Sequence, residues 1–238
     1  MSKQDLCDLC ARQSQGCTIA AGRTETCSRF DGGEMKAKPT VHNVLGKELS
    51  LITESTIYNF VVSVFQNCCP DYFWTIPASV KGHHPPICRT RGGLVHHVKL
   101  AVAFADQLLD SLGIDDSSPQ YSQTIAGVLL HDMMKRGHTE DELDTWDEHR
   151  QANQNHGRFC ADFLTGHYTI MPELEPVIAA VRLHMGRWTN DVTQVELAIL
   201  EMDAVVRTVH LADYMASRAL HQLLAERHTD ETMRYLND

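Results

Sequence analysis

Beyond about residue 50, apolar residues return at helical spacing in segment after segment, while strand signals stay weak. The clearest case is Leu94 to Leu112. Leu94, Val98, Ala101, Val102, Ala105, Leu108, Leu109 and Leu112 form one stripe, and Gly113 is a natural stop. Further helices are predicted over Ile52–Cys68, about Gln120–Lys135, roughly Trp146–Leu164, from after Pro172 to His184, and from about Thr193 to past Leu220. Val61 to Phe65 holds β-branched residues without two-residue alternation. The expected fold is all-α, a helical bundle over residues 51–238. Residues 1–35 are a short Cys-rich segment, and 36–50, with Gly32, Gly33 and Pro39 at or near its start, read as a linker.

Several of these apolar stripes carry a histidine or an aspartate. His97 lies three residues after Leu94 and four before Ala101, so it points inward. His156 shares a face with Phe159 and Phe163, His184 with Val177 and Val181, and Asp213 with Val206 and Val209. His131 and Asp132 stand together at the end of the third helix. An isolated His-Asp pair is ordinarily a core histidine beside a capping aspartate. Six inward-facing donors on five successive helices are a different matter, because a buried aspartate is costly unless paired or bound to metal. Nitrogen and oxygen donors of this kind suit Mn, Mg, Fe, Ni, Co or Zn.

The order His97, His131-Asp132, His156, His184, Asp213 resembles the HD superfamily of metal-dependent phosphohydrolases, over roughly residues 55–225. The resemblance implies an HD-type helical bundle holding two divalent ions. His97, His131, Asp132 and Asp213 would hold one, Asp132, His156 and His184 the other, with Asp132 bridging. Phe73-Trp74-Thr75-Ile76-Pro77-Ala78, then His83-His84-Pro85 and Gly92-Gly93-Leu94, is similar to a series in bacterial HD-domain 3′–5′ exonucleases and HD-domain conjugative relaxases. It implies a phosphodiester substrate. Two metals would lower the pKa of a bridging water to near neutrality and polarise the phosphoryl oxygens. Asp132 would be catalytic, with Lys135, Arg89 and Arg91 as candidate phosphate contacts. His83, His84, Arg187 and Trp188 are candidate substrate contacts, a base stacking on the tryptophan. For Lys135 the alternative is a solvated helix-end lysine, and for Trp188 plain packing. The same ligand set also fits a di-iron oxygenase, and metal alone fits a non-catalytic metal-stapled binding module.

The remaining features narrow the setting. Cys7, Cys10, Cys17 and Cys27 are candidates for a second metal site, holding Zn or an Fe–S cluster, against free thiols. The acidic stretch Thr139 to Glu148 reads as a solvated face or a lid. The net charge of −10 argues against a protein that coats long nucleic acid; together with that charge, the resemblance to HD exonucleases implies a nucleotide or a short single-stranded end as the substrate. No apolar run reaches 18 residues, so no membrane span is expected, and MSKQDLCDLC lacks a signal-peptide layout. A cytoplasmic setting follows.

Overall fold

The computed structural model describes residues 40–79, 84–137, 155–189 and 192–218. Among them are eight α-helices: α1 (Val41–Leu49), α2 (Ser55–Asn67), α3 (Gly93–Ser111), α4 (Pro119–Leu130), α5 (His156–His167), α6 (Glu175–Leu183), α7 (Gln194–Met202) and α8 (Ala204–Ala216). Short 3-10 turns cover Asp71–Trp74, Pro86–Arg89, Pro172–Leu174 and Gly186–Trp188. The described residues hold no strand, only an isolated bridge between Lys135 and Gly137. The all-α expectation holds. None of the described helices is long and apolar enough to cross a membrane.

The helices form where caps and stripes agree. The stripe on α3 buries Leu94, Val98, Ala101, Val102, Ala105 and Leu109, and Gly113 follows at φ 68°. Ser118 caps α4 by accepting from the Tyr121 amide, and Pro119 takes the first helical position, where no amide is needed. Thr193 and Glu196 form a reciprocal capping box on α7. Helix α8 packs against α3, α4 and α6, with α4 also against α3 and α6, and α5 against α6. The helices that carry the histidines and aspartates therefore share one interior.

Three expectations need correction. The stretch read as a linker contains α1, whose Val41, Val44, Leu45 and Leu49 are buried in the core and lie at helical spacing. Lys99 on α3 grips Glu48 of α1 at 3.0 Å. The helix expected to reach Lys135 stops at Leu130, and residues 131–134 turn. The long last helix is two helices, broken at Asp203, which is extended (φ −78°, ψ 120°) and accepts from the Val206 amide to start α8. Residues 1–39, which include Cys7, Cys10, Cys17 and Cys27, lie outside the described residues, as do His83, the acidic stretch 139–148 and the expected helix start at Trp146.

The chain divides into Met1–Lys38 and Pro39–Asp238. A protein beginning at Pro39 keeps Thr40, which caps α1 by accepting from the Asn43 amide at 3.3 Å. It is expected to retain its helical circular dichroism and cooperative melting, and to lose only whatever metal the four N-terminal cysteines hold. A protein beginning at Leu51 lacks four buried side chains, each worth about 1.5–3 kcal/mol, and should melt far earlier. Unfolding of the Pro39 protein would make the first segment integral to the core. Unchanged total metal per chain would remove the cysteines from the account.

Candidate metal centre

Helices α4 and α6 end in the same way. His131 is the C-cap of α4 and His184 the C-cap of α6. The last carbonyls of a helix lack partners within it. Here His131 Nδ1 donates to the Val128 carbonyl at 2.6 Å, and His184 Nδ1 to the Val181 carbonyl at 2.8 Å. Each bond fixes the proton on Nδ1, so the neutral ring presents a bare Nε2 lone pair to the interior. Both lone pairs leave from helix C-termini, whose partial negative charge favours a cation.

The other donors converge on those two nitrogens. His97 Nε2 lies 3.2 Å from His131 Nε2 and 3.0 Å from Asp213 Oδ1. His156 Nε2 lies 3.0 Å from His184 Nε2 and 2.7 Å from Asp132 Oδ1. Two groups result: His97, His131 and Asp213, then Asp132, His156 and His184, the donor atoms of each within 4.8 Å of one another. Asp132 serves both. Its Oδ1 faces His156, while Oδ2 lies 3.5 Å from His97 Nε2 and 3.6 Å from His131 Nε2. Lys135 Nζ sits 2.5 Å from Oδ2. All are buried except Asp213, whose side chain is 21% exposed and marks the open side.

Electrostatics follow from that crowding. Burial raises the Asp132 carboxyl, but Lys135, His131 and His156 outweigh it and hold the group well below the usual carboxylate range. Burial likewise opposes ionisation of Asp213, and its hydrogen bonds with His131 and His97 keep it well below that range. Burial, then His156 and His131, push His184 down to about 3. Burial lowers His97 despite Asp213 and Asp132. At His131 burial acts downward too, yet Asp132 and Asp213 prevail and raise it. Lone pairs and carboxylate oxygens packed this closely repel unless positive charge lies among them. The donor chemistry therefore fits divalent ions held by all six residues.

One glycine makes the second group possible. A methyl on Gly157 would meet the Val181 carbonyl oxygen at 2.6 Å and His184 Cε1 at 2.9 Å. Only a residue without Cβ lets the start of α5 approach the end of α6 closely enough for His156 to meet His184.

The other sequence candidates separate. His84 stacks edge-on against His97 with centroids 4.9 Å apart. That contact places it at the rim of the first group, and burial, then His97 and Lys135, push it down to about 3. Lys135 lies at the centre, in the turn after α4 rather than on a helix face. Arg89 and Arg91 are exposed and touch none of the six donors among the described residues. Arg187 and Trp188 are exposed on the turn that follows His184. Two residues went unnoticed in the sequence. His210 Nδ1 donates to the His184 carbonyl at 2.5 Å, and its place three residues before Asp213 was the available signal. Tyr72 donates to the Gly137 carbonyl at 2.5 Å and accepts from the Arg136 amide at 3.0 Å, pinning the turn that carries Lys135. No local pattern announces that contact.

A family model of the HD domain matches residues 94–218, more than half of the 238-residue chain. The chain thus belongs to the HD domain family, a family of metal-dependent phosphohydrolases. No curated protein and no solved structure matches it.

Proposed function

We propose that this chain hydrolyses phosphate esters of nucleotides or of single-stranded nucleic-acid ends, using two divalent ions held by His97, His131, Asp132, His156, His184 and Asp213. The observation that carries this reading is the Asp132 carboxylate, which turns one oxygen toward each group. That is the disposition of a bridging ligand between paired ions. When bound, the ions would lower the pKa of water to near neutrality and polarise the phosphoryl group.

The chain's own residues supply the rest. Asp132, well below the usual carboxylate range, stays an anion at any physiological pH and fixes both groups against one another. Lys135 places an ammonium at the same carboxylate, where it can take up charge that builds on a phosphoryl oxygen. Arg89 and Arg91, exposed in the loop ahead of α3, are the candidate outer contacts for phosphate. An ammonium inside the centre favours an anionic substrate, and hence the hydrolase over an oxygenase with the same ligands. The resemblance to HD exonucleases and relaxases, with a net charge of −10, supports short or single-stranded substrates over duplex DNA.

The test is a hydrolysis panel of mononucleotides, cyclic nucleotides, single-stranded oligonucleotides and duplex DNA, run with Mn, Mg, Ni and Co. Release of phosphate or nucleotide from the first three, well above that from duplex, is expected. Equal or faster cutting inside long duplexes would overturn the substrate assignment. An iron-loaded, coloured protein that consumes O₂ and cleaves no ester would put the oxygenase in its place.

A further inference from the structure

Beside Asp213, on the open side of the centre, aromatic side chains gather that the two donor groups do not include. His210 and Tyr214 on α8, and Arg218 two residues past its end, follow one another at intervals of four residues and form one stripe beside Asp213. Trp188 lies flat on the middle of that stripe. Its ring is near-parallel to Tyr214, 11° between planes and 5.5 Å between centroids, and lies 5.7 Å from His210. The Arg218 guanidinium covers Tyr214 at 4.3 Å from the ring centroid. Despite this contact, Trp188 remains 54% exposed.

The geometry depends on the ligand turn. His210 donates to the His184 carbonyl, and Gly186 sits at φ 54° with no room for a side chain, since a methyl would come within 2.8 Å of His210 Cε1. Gly186 thus lets the turn after a metal donor close onto α8, which delivers Trp188 to Tyr214. A large indole left half open is unfavourable in water, and three rings and a guanidinium stacked on one another, with the Trp188 ring still 54% exposed, have the flat character that stacks on a heterocycle.

We infer that Trp188 and Tyr214, backed by His210 and Arg218, form a stacking platform for the nucleobase of the substrate, making an aromatic base the specificity element of this site. The inference rests on the phosphohydrolase reading above. The probes are adenosine 5′-monophosphate and ribose 5-phosphate, titrated into the metal-loaded full chain by calorimetry and by tryptophan fluorescence. The chain has three tryptophans, of which Trp74 is buried and Trp188 exposed. The nucleotide is expected to quench fluorescence and to bind about tenfold or more tighter than the sugar phosphate. Trp188→Ala and Tyr214→Ala should each remove most of that difference with metal content unchanged, while Trp188→Phe keeps much of it.

The platform is overturned if the two probes bind equally to the wild type, or if both alanine variants bind the nucleotide as the wild type does. It is also overturned if Trp188→Ala changes only the oligomeric state, which would make the face a protein contact. Stacking through Trp188 in a protein that cleaves no phosphate ester would keep the platform and reject the hydrolase reading. Ester cleavage with no base dependence would do the reverse.

Discussion

Asp132→Ala is expected to empty both groups of metal and to lower turnover by at least about 10³-fold, roughly 4 kcal/mol of barrier. The size follows from how many neighbours depend on one carboxylate. Its oxygens lie 2.7 Å from His156, 2.5 Å from Lys135, and 3.5 and 3.6 Å from His97 and His131. Among the described residues, no other carboxylate pairs with histidines of both groups. The substitution also strands the Lys135 ammonium, 11% exposed, beside bare histidines. Breaking a buried pair on one side costs about 3–5 kcal/mol, so the alanine protein should melt early as well. Asp132→Asn separates the two effects, since it keeps the shape while weakening the ligand. Metal per chain by mass spectrometry, turnover and melting temperature are the readouts. Full metal content and normal activity in either variant would end the two-group assignment.

Removing the ions from the native protein should abolish hydrolysis and lower its melting temperature, both reversibly. At a hundredfold excess over Kd, a bound ion stabilises by about 2.7 kcal/mol, which for a domain of this size is roughly 5–10 °C. The physical cause is the set of acceptors left facing one another. His131 and His184 have their protons committed to the Val128 and Val181 carbonyls, so their free nitrogens oppose His97, His156 and two carboxylates. At His131, Asp132 and Asp213 pull the pKa up against the burial that lowers it, so this ring is where the crowded centre most favours positive charge. Dialysis against a chelator, followed by melting and by re-addition of Mn or Mg, measures both effects. A melting temperature and an activity indifferent to chelation would show that the donors are satisfied without metal.

Four of the candidate donors, His97, His156, His184 and Asp213, were legible because each follows an apolar stripe, and His131 and Asp132 because they stand side by side at a helix end. His97 in the Leu94 stripe and His184 behind Val177 and Val181 are polar residues at positions where a helix must bury its side chains, and that conflict is local. The linker reading failed for a related reason. Val41, Val44, Leu45 and Leu49 carry the helical pattern, but nearby glycine and proline hid a nine-residue helix whose stability comes from burial against its neighbours. Asp203 was hidden in turn, because an N-cap inside an apolar pattern is visible only when the helix on either side points elsewhere.

The sequence by itself determined the helical class and pointed to six candidate donors in their order along the chain. These follow from periodicity and side-chain chemistry, which act within one or two turns. Tertiary structure alone decided which donors meet. The pairing of His156 with His184 needs the missing Cβ of Gly157. The orientation of His131 and His184 needs helix ends whose carbonyls are free to accept. Holding Lys135 at Asp132 relies on Tyr72, more than 60 residues upstream, to pin the turn. Such contacts depend on the crossing of packed helices, and no spacing within a single helix encodes them.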